Sequence, residues 1–167
     1  RLLVSCTWDA QKPAGEEHKP LEAPPLPADT ETTEELYFTG MHLEQYRHPT
    51  YRPEDYYAEG LRRDPDDTRL NLAYGRLLLR QGAFSKAEPY LRRALKRITR
   101  LNHTPYDGEV HYLLGLCCFY QGKPEAAYDW FRKGEWDGDK AAACACFAAA
   151  LKARQGDYPT ALAHAEK

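Results

Sequence analysis

Residues 72–95 read LAYGRLLLRQGAFSKAEPYLRRAL, and residues 112–134 read YLLGLCCFYQGKPEAAYDWFRKG. Each places a Gln-Gly pair after an apolar run and an alanine five residues past the glycine: Gln81-Gly82 with Ala87, then Gln121-Gly122 with Ala127. Gln155-Gly156 with Ala161 opens a third copy, and the glycines stand 40 and 34 residues apart. A recurrence near 34 residues, each unit reading helix, turn, helix, predicts an all-α array of stacked repeats.

Counting from Thr68 as the first position, small residues fall at positions 8, 15, 20 and 27: Gly75, Gly82, Ala87 and Ala94. Gly115, Gly122, Ala127 and Gly134 take the same positions after an insertion of about six residues around 101–108. Small residues let two helices approach, and the large residues between them fill the gaps. Ser85 and Glu88 have the spacing of a capping box for the second helix, although Pro89 deletes one of its hydrogen bonds. A fourth unit from about Ala142 keeps Ala149, Gly156 and Ala161 but has Ala145, Ala148 and Lys152 where bulk is expected. It should pack thinly, with its second helix, 159–167, the first to fray. Upstream, 34–43 reads as a helix broken by His48-Pro49, followed by a partner over Pro53–Arg63 that ends before Asp64-Pro65. These form a degenerate first repeat, and Asp66-Asp67-Thr68 offers oxygens to cap the next helix.

The expected division is therefore an extended strap over 1–31 and a repeat domain over 32–167, with repeats at 33–66, 68–101, 108–140 and 142–167. Within the strap, Pro13, Pro20, Pro24, Pro25 and Pro27 forbid a continuous helix or sheet, while 2–8 is strand-like. A first residue that is not methionine and a last residue partway into a repeat suggest a piece of a larger protein.

With 23 basic and 25 acidic residues, the chain has no overall charge to draw it to nucleic acid or to an anionic membrane. Neither partner is expected, and no apolar stretch approaches the length of a bilayer span. Cys6, Cys117, Cys118, Cys144 and Cys146 show neither a CxxC pair nor zinc-ligand spacing. They read as small buried residues of a cytoplasmic protein without metal or cofactor; the alternative is a soft-metal site shared by the two pairs. No nucleophile, base and orienting acid form a motif, so no catalytic residue is expected within the chain itself. His103 and His111 read as surface and groove residues, not metal ligands, and Trp136 to Asp139 as a turn between repeats.

On the small positions in phase, residues 68–167 resemble tetratricopeptide repeats. The run Glu34-Glu35-Leu36-Tyr37-Phe38-Thr39-Gly40-Met41-His42-Leu43-Glu44-Gln45-Tyr46-Arg47-His48, with Tyr56-Tyr57 and Leu61 to Pro65, also resembles a bacterial family of unknown function. That resemblance implies an upstream β-sandwich region and suspected action on carbohydrate.

In such arrays the first helix of each pair lines a concave face. Positions near 2, 5, 9, 12 and 13 select Arg69, Leu72, Arg76, Leu79 and Arg80, then Glu109, Tyr112, Leu116, Phe119 and Tyr120, then Cys146, Ala150 and Arg154. The groove should be basic with an aromatic middle, suited to an acidic peptide carrying an apolar anchor and gripped by Arg76 and Arg80. An upstream domain or the chain's own strap could fill it instead. A second constellation, Tyr37, His42, Glu44, Gln45, Tyr46, Arg47 and His48, suits an interface with a neighbouring domain or, in a larger enzyme, contact with a sugar. The expected function is a non-catalytic interaction or scaffold module; the alternative is the helical portion of a carbohydrate-active enzyme.

Overall fold

The computed structural model describes residues 4–5, 23–105 and 107–166. Among these are eight α-helices and no strand: α1 (Thr33–Tyr46), α2 (Pro53–Arg63), α3 (Thr68–Arg80), α4 (Phe84–Ile98), α5 (Glu109–Tyr120), α6 (Pro124–Gly134), α7 (Gly138–Arg154) and α8 (Tyr158–Ala165). They pack as consecutive antiparallel pairs, and the first helices of neighbouring pairs also touch: α1 with α3, α3 with α5, α5 with α7. This leaves α1, α3, α5 and α7 as the inner layer and the second helices outside, the geometry of a repeat superhelix.

Caps explain where several helices begin. Thr32 Oγ1 accepts from the Glu35 N–H at 3.1 Å and Glu35 returns a carboxylate oxygen to the Thr32 N–H at 3.2 Å, a full capping box. Asp67 accepts from the Leu70 N–H at 2.8 Å, as the Asp66-Asp67-Thr68 run suggested. The box expected at Ser85 is absent. Helix α4 starts at Phe84 with no side-chain cap, and Glu88 turns instead to Arg92 and, on the next repeat, to Gln121 at 2.9 Å. Helix α7 begins at Gly138, four residues before the expected Ala142, because Asp137 supplies a cap earlier in the supposed turn.

The small positions do what close packing asks of them. A Cβ placed on Gly75 would lie 2.7 Å from the Leu91 side chain, and one on Gly115 would lie 2.5 Å from Phe131. Gly40 stands in the same place in the first pair, where a Cβ would lie 2.5 Å from Tyr57. At the turn between the helices, Gly82, Gly122 and Gly156 have φ of +76°, +72° and +81°, the left-handed cap that glycine adopts without steric cost. In the first pair that position belongs to Arg47, with φ 49°.

A continuous core runs through Leu91, Leu114, Phe131 and Ala148, with separate clusters around Tyr57 and Leu70 and around Leu36 and Tyr56. The last pair is thin: α8 buries only Ala161 and His164 and leaves Tyr158 and Leu162 exposed.

Candidate functional site

Of the four expected concave arginines, three are already engaged. Arg80 on α3 reaches Glu44 on α1 at 2.5 Å, Arg76 reaches Glu109 on α5 at 3.2 Å, and Arg69 reaches Glu34 at 3.0 Å while lying over the Tyr37 ring. The expected basic groove is therefore neutralised from within over its first part, because the sequence placed a carboxylate on the adjacent inner helix for Arg69, Arg76 and Arg80. Glu44 is the most enclosed of these acids, its side chain 8% exposed, and it also accepts from the Tyr57 hydroxyl at 2.9 Å. Burial, then the Glu44 charge, pushes the Tyr57 phenol well above its ordinary range.

The second constellation does not stay together, because helical rotation distributes it. Tyr37 and Glu44 turn to the inner face beside Arg69 and Arg80. His42 and Tyr46, one turn apart, pack their rings at 4.5 Å on the exposed side, and Gln45 is exposed. Arg47 forms the left-handed cap, and His48 Nδ1 accepts from the N–H groups of Thr50 and Tyr51 to shape the following turn. The aromatic and hydrogen-bonding groups thus do not converge on one pocket, as a sugar subsite would need.

Further along the inner layer the surface is aromatic. Leu116 is buried in the core and Leu72 packs against it, so neither lines an open groove as expected. Tyr112 is wedged between Phe131 and Phe147. Phe119 packs edge-on to Phe147 at 5.3 Å, and the half-exposed Tyr120 stacks on Phe84 of α4 at 4.8 Å. Arg154 lies over the Phe119 ring at 5.6 Å with no carboxylate in ion-pair range among the described residues. These two side chains, with Gly122, Pro124, Leu151 and Gln155, line an open cleft of about 530 Å3.

Cys117, Cys118 and Cys144 are buried, and burial pushes the Cys117 thiol up to about 12 and the Cys144 thiol up to about 11. Cys146 is exposed, against the expectation of burial, and Cys6 lies outside the described residues. No cluster able to hold a metal ion occurs among the described residues. His111 is not a surface residue: it is 6% exposed and stacks on Trp130, though with His103 it lines one shallow cleft.

A carboxylate–imidazole–hydroxyl chain, which no motif in the sequence announced, joins Glu135, His164 and Tyr128 at 3.1 and 3.0 Å. With His164 only 4% exposed, it ties α8 to α6 and offers no room for a substrate.

Residues 25–31 are fastened outside, on α2. Arg63 donates to the carbonyls of Thr30, Glu31, Pro27 and Ala28 at 2.6, 3.1, 3.1 and 3.2 Å, and the Tyr56 hydroxyl donates to Pro25 at 2.9 Å. The strap's strand-like start at 2–8 lies outside the described residues apart from 4–5.

Residues 67–135 match the tetratricopeptide repeat family model. Over that stretch the chain carries tetratricopeptide repeats. Solved structures with the same fold include MamA from Desulfovibrio magneticus RS-1, with a TM-score of 0.67 at 20% identity over 79% of this chain and 71% of that one. PilF of Pseudomonas aeruginosa aligns with a TM-score of 0.69 at 21% identity, over 83% of this chain and 60% of its own. At such identities the likeness is one of fold. No helix among the described residues of the tetratricopeptide array is long and apolar enough to cross a membrane.

Proposed function

We propose that the chain is a non-catalytic interaction module that holds a peptide, or a loop of a neighbouring domain, on the α5–α7 stretch of its concave face. Residues 32–167 act as the unit and 1–31 as its strap. Arrays of this architecture present an extended inner surface for a partner protein. One observation carries the choice of stretch: Arg154, unlike Arg69, Arg76 and Arg80, has no carboxylate in range among the described residues and stands over Phe119 at the cleft. The matching ligand has an aromatic or aliphatic anchor followed by a single carboxylate, the ring edges taking the anchor and the guanidinium the acid. A cytoplasmic location is part of this reading and suits the buried, free thiols.

Selection of a random peptide display library on the full chain tests it. Enriched peptides should carry such an anchor and acid, and Tyr120→Ala with Arg154→Glu should weaken them at least about tenfold with the circular dichroism unchanged. Peptides that bind the double variant as well as the parent would remove the concave-face reading.

A further inference from the structure

The outer face of α4 carries a second surface that the concave reading does not use. Lys86, Arg93, Lys96 and Arg97 recur at helical spacing along one side of it, and Arg100 follows just past its end. Arg93, Lys96, Arg97 and Arg100 converge on an open cleft of about 350 Å3 whose one acidic wall residue is Asp66. Their state differs from that of most arginines of the array. Arg62, Arg63, Arg69, Arg76, Arg80 and Arg92 each have a carboxylate within 4.0 Å or less, whereas these four cations have none among the described residues. In a chain of net charge −2, four unpaired cations against one acid is a local concentration of positive field. Part of it complements the negative end of the α4 dipole, but Arg93 lies more than a turn before the end, so capping does not account for the row.

Arg93 also lines a second cleft, of about 540 Å3, formed by Tyr74, Leu78, Lys86, Pro89 and Tyr90. The two clefts thus adjoin at Arg93, one walled by aromatic rings and the other by cations. Tyr74 and Tyr90 meet edge-on at 4.9 Å and wall the aromatic end. Pro89, inside α4, adds its ring to the apolar wall of this cleft. From Lys86 to Arg97 the surface runs about 16 Å, the span of roughly five residues of extended peptide.

We propose that this face of α4 is a docking groove for an acidic peptide segment, an aromatic or aliphatic residue seated against Tyr74 and Tyr90 and a run of carboxylates along Arg93 to Arg100. A linear peptide fits both halves. Its side chain fills the apolar end, and its carboxylates follow the row of cations. An inorganic polyanion would use the cationic end alone.

Fluorescence anisotropy of a fluorescein-labelled peptide, phenylalanine followed by a run of glutamates, titrated with the full chain, tests this. Binding should saturate and weaken steeply with salt. Lys96→Glu with Arg97→Glu should weaken it at least about tenfold, and the milder Lys96→Gln with Arg97→Gln should weaken it in the same direction. A peptide with serine in place of phenylalanine should bind several-fold less tightly, while Arg154→Glu should leave binding unchanged, which separates this groove from the concave site. The proposal is overturned if the Gln pair binds as the parent does, if the serine peptide binds equally, or if tripolyphosphate or a single-stranded oligonucleotide binds more tightly than the peptide.

Discussion

Arg80, near the C-terminal end of α3, reaches back to the first repeat and closes on Glu44, whose side chain is 8% exposed and also holds the Tyr57 hydroxyl. Two side chains that the sequence assigned to different surfaces are one contact, and it joins the first repeat to the second on the inner layer. Removing the acid leaves a guanidinium and a phenol without their shared acceptor. Glu44→Ala should therefore lower unfolding stability by about 2 kcal/mol, and a cycle of Glu44→Gln with Arg80→Met should show a coupling of about 1 kcal/mol. Urea denaturation of the four proteins measures both; additivity within the error would mean that the pair contributes nothing of its own.

Arg47 occupies the position at which Gly82, Gly122 and Gly156 cap the later first helices, and its φ of 49° has the same sign as theirs. A side chain there costs about 1 kcal/mol relative to glycine. Arg47→Gly should raise the thermal midpoint, while Gly82→Ala should lower it by a comparable free energy. A decrease for Arg47→Gly in calorimetry would show that the arginine has a tertiary role beyond the cap.

Glu59 accepts from Arg62 at 2.7 and 2.8 Å and from Arg63 at 2.7 Å, and these hydrogen bonds hold its carboxyl down to about 2 from an ordinary 4.5. A depressed carboxyl stabilises the fold fully above its unfolded value, and the contribution disappears as pH falls from about 4.5 through about 2. The same Arg63 gathers the carbonyls of 27–31, so the strap should loosen with it. Melting curves of the parent and of Glu59→Gln should differ at neutral pH and converge near pH 2; a gap that stays constant down to acid pH would refute the linkage.

Much of the fold was legible because each repeat states its own geometry. Gly75, Gly115 and the Gln-Gly turns sit where only a small or left-handed residue fits, and that need prints a period on the chain. The first repeat was harder to see since Arg47 stands where a glycine would have announced the turn, although Gly40 against Tyr57 keeps the same close approach. The Ser85 cap was misread because Glu88 has a better use, bridging to Gln121 and Lys123 of the next repeat, and a local pattern carries no information about that neighbour.

By itself, the sequence determined the class of the fold, the phase of the repeats and the thinness of the last pair, all of which follow from local periodicity and side-chain size. Only the tertiary structure decided which charges are free. Arg76 and Arg80 looked available, yet Glu109 and Glu44 neutralise them from adjacent inner helices 33 and 36 residues away in the chain. Arg93, Lys96 and Arg97, about which the sequence alone says nothing, share a cleft with Asp66 and have no carboxylate in ion-pair range among the described residues. An ion pair depends on distances of a few ångströms between helices, and no periodicity within one repeat encodes the acid that the next will bring alongside.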